Sequence, residues 1–232
     1  MKITRTGFLG FLAAPLLAFA RPAKRWVMVV QTGKCMQDAG CTACVQACHR
    51  AHNVPHIPDA RHEVKWLWKE RYRNLFGAEA VPAAAENRLA LALCNHCDNP
   101  PCTRVCPTAA TWQRGDGIVM MDWHRCIGCR YCMAACPYGS RSFNWVDPKP
   151  YLAAPSPDFP RRTKGVVEKC NFCEERLAAG KMPHCVEACP ERALIFGDAN
   201  DPQSEVRQVL QARYAIRRHT ELGTRPSVFY VI

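Results

Sequence analysis

The chain has 232 residues, with 31 Lys+Arg against 20 Asp+Glu and 16 cysteines. With 48% apolar residues it can bury a core, which excludes wholesale disorder, and its length suits one or two compact domains. The formal net charge of +11 would ordinarily point to an anionic partner, but it counts every cysteine as neutral, and a metal-bound thiolate is negative.

Residues 1–20 carry Lys2 and Arg5 and then an uncharged run over 7–20, too short to cross a bilayer comfortably. The run ends in Ala18-Phe19-Ala20, the small-x-small pattern of a signal-peptide cleavage site; an uncleaved interfacial anchor is the bland alternative. Thr4-Arg5-Thr6-Gly7-Phe8-Leu9-Gly10 is similar to a twin-arginine export signal with Thr6 in place of the second arginine. No later stretch is long and apolar enough to span a membrane, so the mature chain is expected to be soluble or peripheral.

Trp26–Gln31 reads as a strand leading into the first cysteines, and a short helix is expected near 42–52. Residues 53–86 hold Trp66, Trp68, Tyr72 and Phe76 among Lys65, Lys69, Arg71 and Arg73, which suits a connector or a partner surface. Gly115-Asp116-Gly117 reads as a turn and 118–122 as the strand after it, with a helix near 130–135. Residues 147–163 contain five prolines and read as an extended loop. For the aromatic stretches 53–86 and 223–232, core packing is the bland alternative. A helix is expected over 171–179 with Gly180 at its end, and a strand over 193–196 stopped by Gly197. Asp201-Pro202 reads as a helix start, with Val206, Val209 and Leu210 on one face. The apolar tail 228–232 reads as an edge strand or a docking strand.

The cysteines fall into four groups of four: Cys35-x5-Cys41-x2-Cys44-x3-Cys48, Cys94-x2-Cys97-x4-Cys102-x3-Cys106, Cys126-x2-Cys129-x2-Cys132-x3-Cys136 and Cys170-x2-Cys173-x11-Cys185-x3-Cys189. The third matches the bacterial ferredoxin run C-x2-C-x2-C-x3-C-P, with Pro137 in place; Pro107 and Pro190 close the second and fourth, and His49 follows the first. Three closely spaced thiolates can reach three irons of one cubane, while the fourth, where the chain leaves as a helix, ligates a neighbouring cluster. The groups must therefore work in pairs, giving four [4Fe–4S] clusters. All-thiolate zinc sites would use the C-x2-C pairs but do not explain the x2, x3 and Cys-Pro pattern. Disulfides suit an exported chain, yet cysteines three residues apart seldom find separate partners of good geometry.

Iron changes the charge balance. Without residues 1–20 the chain carries +9, and each oxidised cluster with four thiolates carries about −2, so the holoprotein is near +1 and nucleic acid loses its support as a partner. Export must follow cluster assembly, because metal binding and folding are coupled, and a folded-export signal fits that order. His49, His52 and His184 lie among the cysteines but are expected to support the sites rather than ligate, since each cluster already has four thiolates. No Ser-His-Asp signature, phosphate loop or Rossmann fingerprint is present, so the chain is expected to have no catalytic site of its own.

The order of the groups, the x11 gap, Cys94-Asn95-His96-Cys97-Asp98-Asn99-Pro100-Pro101-Cys102, the run from Met121 through Cys132, and Cys136-Pro137-Tyr138-Gly139-Ser140-Arg141 are shared features, as is the ending Leu222-Gly223-Thr224-Arg225-Pro226-Ser227-Val228. Together they resemble the four-cluster ferredoxin subunits of membrane-bound respiratory oxidoreductases, such as polysulfide and dimethyl sulfoxide reductases, and among them the exported subunits of DsrMKJOP-type sulfur-metabolism complexes. The resemblance implies an α+β fold of two ferredoxin-like modules in pseudo-two-fold repeat, with long loop insertions. One module is continuous over 86–146, and the other is assembled from 21–85 and 147–232. It implies Cys35, Cys41, Cys44 and Cys189 on one cluster and Cys170, Cys173, Cys185 and Cys48 on a second. It implies Cys94, Cys97, Cys102 and Cys136 on a third, and Cys126, Cys129, Cys132 and Cys106 on a fourth. The x5 gap over 36–40, where ferredoxins have x2, makes Cys35 the least secure ligand, so its cluster is expected to be four-iron, three-iron or missing. The implied function is electron transfer on the periplasmic side of the cytoplasmic membrane, between a polytopic quinone-reacting subunit of the DsrP kind and a c-type cytochrome. The alternatives are the relay subunit of a molybdopterin oxidoreductase and a free ferredoxin.

Overall fold

The computed structural model describes residues 23–35, 40–77, 81 and 83–232; the export signal expected over 1–20 lies outside them. The strands are β1 (Trp26–Gln31), β2 (Leu67–Arg71), β3 (Leu89–Leu93), β4 (Thr111–Gln113), β5 (Val119–Met121), β6 (Ser142–Phe143), β7 (Val167–Glu168), β8 (Leu194–Asp198), β9 (Ala215–Ile216) and β10 (Val228–Val231). The helices are short: α1 (Thr32–Cys35), α2 (Ala43–Ala51), α3 (Tyr72–Phe76), α4 (Pro101–Arg104), α5 (Tyr131–Ala134), α6 (Glu174–Ala178), α7 (His184–Glu187) and α8 (Glu205–Ala212). Among the described residues no helix is long and apolar enough to cross a membrane.

The strands form one four-stranded sheet in the order β8-β1-β10-β9 and three two-stranded ribbons, β2-β3, β4-β5 and β6-β7. β1 is its key element, antiparallel to β8 and parallel to β10. Its Val27-Met28-Val29-Val30 run is buried on both faces, which is why it reads as continuously apolar rather than alternating. Met28 and Val30 face the large core with Leu194, Phe196, Val228 and Tyr230. Val27 and Val29 face the opposite core, where Ile195 and Val231 meet Val206, Val209 and Leu210 of α8.

Three sequence expectations are corrected here. The tail is an interior strand: β10 lies between β1 and β9, its apolar residues spent on this chain's own sheet. Gly197 does not stop β8 but sits within it opposite Val27; a Cβ there would stand 3.3 Å from Val206 Cγ2, so the glycine lets α8 pack closely. The last helix starts at Glu205 rather than at Asp201-Pro202, because Ser204 Oγ caps it by accepting from the Arg207 N–H, while the Asp201 carboxylate accepts from Gln203 N–H in the preceding turn.

The aromatic stretch 53–86 takes the bland alternative and packs into the core, while 147–163 is the expected loop, mostly exposed but anchored by the buried Phe159 and Arg162. Trp66 is buried, and its Nε1 donates to Glu168 Oε2 at 2.8 Å. Glu168 pairs with Arg162 at 2.6 Å, both side chains wholly buried, and the guanidinium lies over Trp66, Trp123 and Phe159. Asn53 pins the proline-rich loop, donating to the Ser156 and Phe159 carbonyls and accepting from Ser156 N–H.

Candidate metal centres

Helix α2 carries Cys44 and Cys48 one turn apart, on one face but displaced along the axis by about 6 Å. The two sulfurs therefore enter different sites. Cys44 joins Cys35, Cys41 and Cys189 around a small recess that Lys69 also lines. Cys48 lies among Cys170, Cys185 and Cys173. Helix α7 packs against α2 and carries Cys185 to the second site, while Cys189, just past its end, lines the first.

Helices α4 and α5 form a second such pair. Cys102 on α4 joins Cys94, Cys97 and Cys136 around a recess alike in size and donor set to the first. Cys132 on α5 packs with Cys106 and Cys126, and Cys129 lies on the loop between Cys126 and Cys132. That loop turns at Gly128, whose φ is +71° and whose absent Cβ would stand 2.4 Å from the Gly165 carbonyl oxygen, so only glycine fits.

The thiols themselves say what belongs in these spaces. All sixteen cysteines are free. Burial pushes Cys44 up to about 11 and Cys97 and Cys170 up to about 12, and it drives Cys48, Cys173 and Cys185 up as well, with neighbouring sulfurs adding to the rise. Four buried thiols facing one another cannot ionise alone. A positively charged iron–sulfur core removes that obstacle and displaces the protons, so the donor sets fit such a group. Cys106 behaves differently: burial opposes ionisation, but N–H groups of Thr111, Thr108 and Ala110 donate to its sulfur and hold it below the ordinary thiol value.

His49 and His52 make hydrogen bonds to protein groups. His52 is buried, with Nδ1 2.9 Å from the Cys48 carbonyl oxygen and Nε2 2.9 Å from Glu175 Oε1. His49 sets Nε2 3.1 Å from the Leu67 carbonyl oxygen, and burial lowers it to about 4. His184 starts α7 and meets the His52 ring edge-on at 5.8 Å.

Sequence reasoning missed four buried or half-buried residues beside the thiols. Lys69 Nζ donates to Cys35 Sγ at 3.0 Å. Arg141 Nη2 donates to Cys102 Sγ at 3.0 Å. Lys169 Nζ donates to the carbonyls of Val119 and Cys170, with Cys94 also close. His96 accepts from Val119 N–H through Nδ1 at 3.0 Å, which leaves the ring proton on Nε2, and its ring stacks on Phe172 at 3.7 Å. Adjacency was the available signal for two of them, since His96 stands beside Cys97 and Lys169 beside Cys170.

The geometry points to a ferredoxin-type class of protein: clustered cysteine thiols, with at least one cysteine of each group on a short helix and helices packed in pairs between neighbouring sites. The description "4Fe-4S dicluster domain" matches residues 88–151 and again 152–199. The chain is 41% identical over 230 residues to the Hdr-like menaquinol oxidoreductase iron-sulfur subunit 1 of Archaeoglobus fulgidus, covering 90% of this chain and 84% of that protein. It is 38% identical over 230 residues to the menaquinone reductase iron-sulfur cluster-binding subunit of Nitratidesulfovibrio vulgaris, covering 89% and 88%. To the B subunit of polysulfide reductase from Wolinella succinogenes it is 38% identical over 210 residues, covering 90% and 95%. The chain belongs to this family of iron–sulfur electron-transfer subunits of oxidoreductase complexes and holds four [4Fe–4S] clusters.

Proposed function

We propose that the chain is a four-cluster electron relay in a membrane-bound complex, joining a quinone-reacting membrane subunit to other redox subunits. The first cluster is held by Cys35, Cys41, Cys44 and Cys189, and the second by Cys48, Cys170, Cys173 and Cys185. The third is held by Cys94, Cys97, Cys102 and Cys136, and the fourth by Cys106, Cys126, Cys129 and Cys132. The observation that carries this reading is the sharing of helices between sites: α2, and α7 with the cysteine that follows it, serve the first and second, and α4 and α5, with the cysteines that follow them, serve the third and fourth. Cys170 and Cys94 are close enough to influence one another, which brings the second site beside the third. The sites thus form a series in which each bound cluster accepts and passes one electron and no bond is broken.

We propose the module division that the resemblance implies, with the β2–β3 and β6–β7 ribbons joining the two modules. The continuous module is 86–146, and 21–85 with 147–232 form the other, supported by the β1–β8 pairing and the α2–α7 packing. Among complexes of this kind, the sequence features favour a DsrO-like subunit of a DsrMKJOP-type assembly, with a polytopic DsrP-like partner and a c-type cytochrome. It would lie on the periplasmic side after folded export and cleavage of residues 1–20. A second reading, a relay subunit of a reductase with its own catalytic partner, is favoured by the likeness to the B subunit of polysulfide reductase over 95% of that protein.

Isolation of the native complex tests this. Haem with a polytopic subunit supports the first reading, molybdenum the second, and recovery of the chain alone refutes both. Acid-labile sulfide of about 16 per chain is expected for four cubanes, and a count of about 8 would remove half the sites.

A further inference from the structure

We propose that Arg141 is a positioning residue for electron transfer, a buried cation shared by the third and fourth clusters that raises both of their reduction potentials. This rests on the cluster assignment above. Arg141 is 4% exposed, and among the described residues no carboxylate pairs with it. Its Nη2 donates to Cys102 Sγ at 3.0 Å and to Thr111 Oγ1 at 2.8 Å, while Nη1 points at Met121 Sδ at 3.8 Å. Cys132 packs in the same buried cluster as Cys102, close enough to the guanidinium to feel its charge. Cys102 belongs to the third site and Cys132 to the fourth, so the counter-charges of this cation are one ligand from each of two neighbouring clusters.

A guanidinium cannot shed its proton to escape burial, so its charge is permanent there and needs these sulfurs as partners. Reduction adds negative charge to a cluster. A fixed positive charge in a water-poor site favours that added charge, and a hydrogen bond to a ligand sulfur acts in the same direction. Lys69 makes a similar bond to Cys35, but half-exposed to solvent and to one site only. Arg141 therefore biases electrons toward the adjoining pair of sites, as an energetic step within the relay.

The test is a redox titration of the iron-loaded protein followed by paramagnetic resonance. Cys102→Ser and Cys132→Ser first identify the third and fourth signals. In Arg141→Met both signals are expected to move to lower potential, by about tenfold in the reduction equilibrium, which is about 59 mV for one electron. The first and second signals should hold still, and Arg141→Lys should recover part of the shift. If Arg141→Met does not load iron, Thr111→Val carries the test, with a smaller shift of the same two signals. Two distinct marked signals that stay in place in whichever variant loads overturn the proposal while leaving the cluster assignment intact. A single signal altered by both cysteine variants overturns the assignment, and the shared cation with it.

Discussion

Residues 94–136 bring two groups of cysteines together with two short helices and a small ribbon, whereas the other two groups come from 35–48 and 170–189 and meet through the four-stranded sheet and the packing of α2 on α7. The thiol arrangements are alike, each with four cysteines around a small recess. The energetic support is not. In the continuous module the cysteines are neighbours in sequence, so the loop spacing itself does most of the positioning. In the flanking module, closing the long separation costs conformational entropy that the apolar β8-β1-β10 core must offset. Equivalent sites can thus differ sharply in what destroys them.

The largest expected effect comes from the sheet. Val29 is fully buried between β8 and β10, and Val29→Asp puts an unpaired carboxylate there. A loss above about 4 kcal/mol follows, confined to the flanking module, so iron should fall from about 16 to about 8 per chain. Complete loss of iron would show that the two modules fold as a single unit and break the comparison. Next is the seam between them. Glu168 accepts from Trp66, Asn144 and Arg162, and Glu168→Gln leaves the Arg162 guanidinium buried without its counter-charge. The cost is about 3–5 kcal/mol. Denaturation followed by visible absorbance should show all four clusters destabilised together; loss from one module alone would place the seam elsewhere.

The same contrast governs what could be read in advance. The third group matches the ferredoxin run residue by residue, so its site was legible from spacing. Strand β1 and the helices around 43–51 and 131–134 were legible too, because a local apolar run or cysteine loop determines each. The tail was misread because an apolar terminal strand looks the same at an edge as in the interior; only its two neighbours, far away in sequence, decide. Lys69, Arg141 and the Arg162–Glu168 pair were illegible for the same reason. Lys69 meets a sulfur 34 positions away and Arg141 one 39 positions away, and in sequence each resembles any solvated charge.

Two smaller effects sharpen the comparison from opposite sides. Gly128→Ala forces a side chain into a left-handed turn against the Gly165 carbonyl, at a cost of about 1–3 kcal/mol. Since Gly128 lies between Cys126 and Cys129, the fourth cluster's resonance signal should weaken while the other three persist; uniform weakening would mean the turn matters to the fold and not to the site. Ser204→Ala is the mildest, removing the cap of α8 for about 1 kcal/mol. Helix α8 covers the face of the sheet turned away from the thiols, so its loosening reaches the first and second sites only through the sheet. Iron content should therefore stay at the full complement while the denaturant midpoint of the flanking module's absorbance falls. An unchanged midpoint would mean that the sheet holds those sites without help from its outer layer.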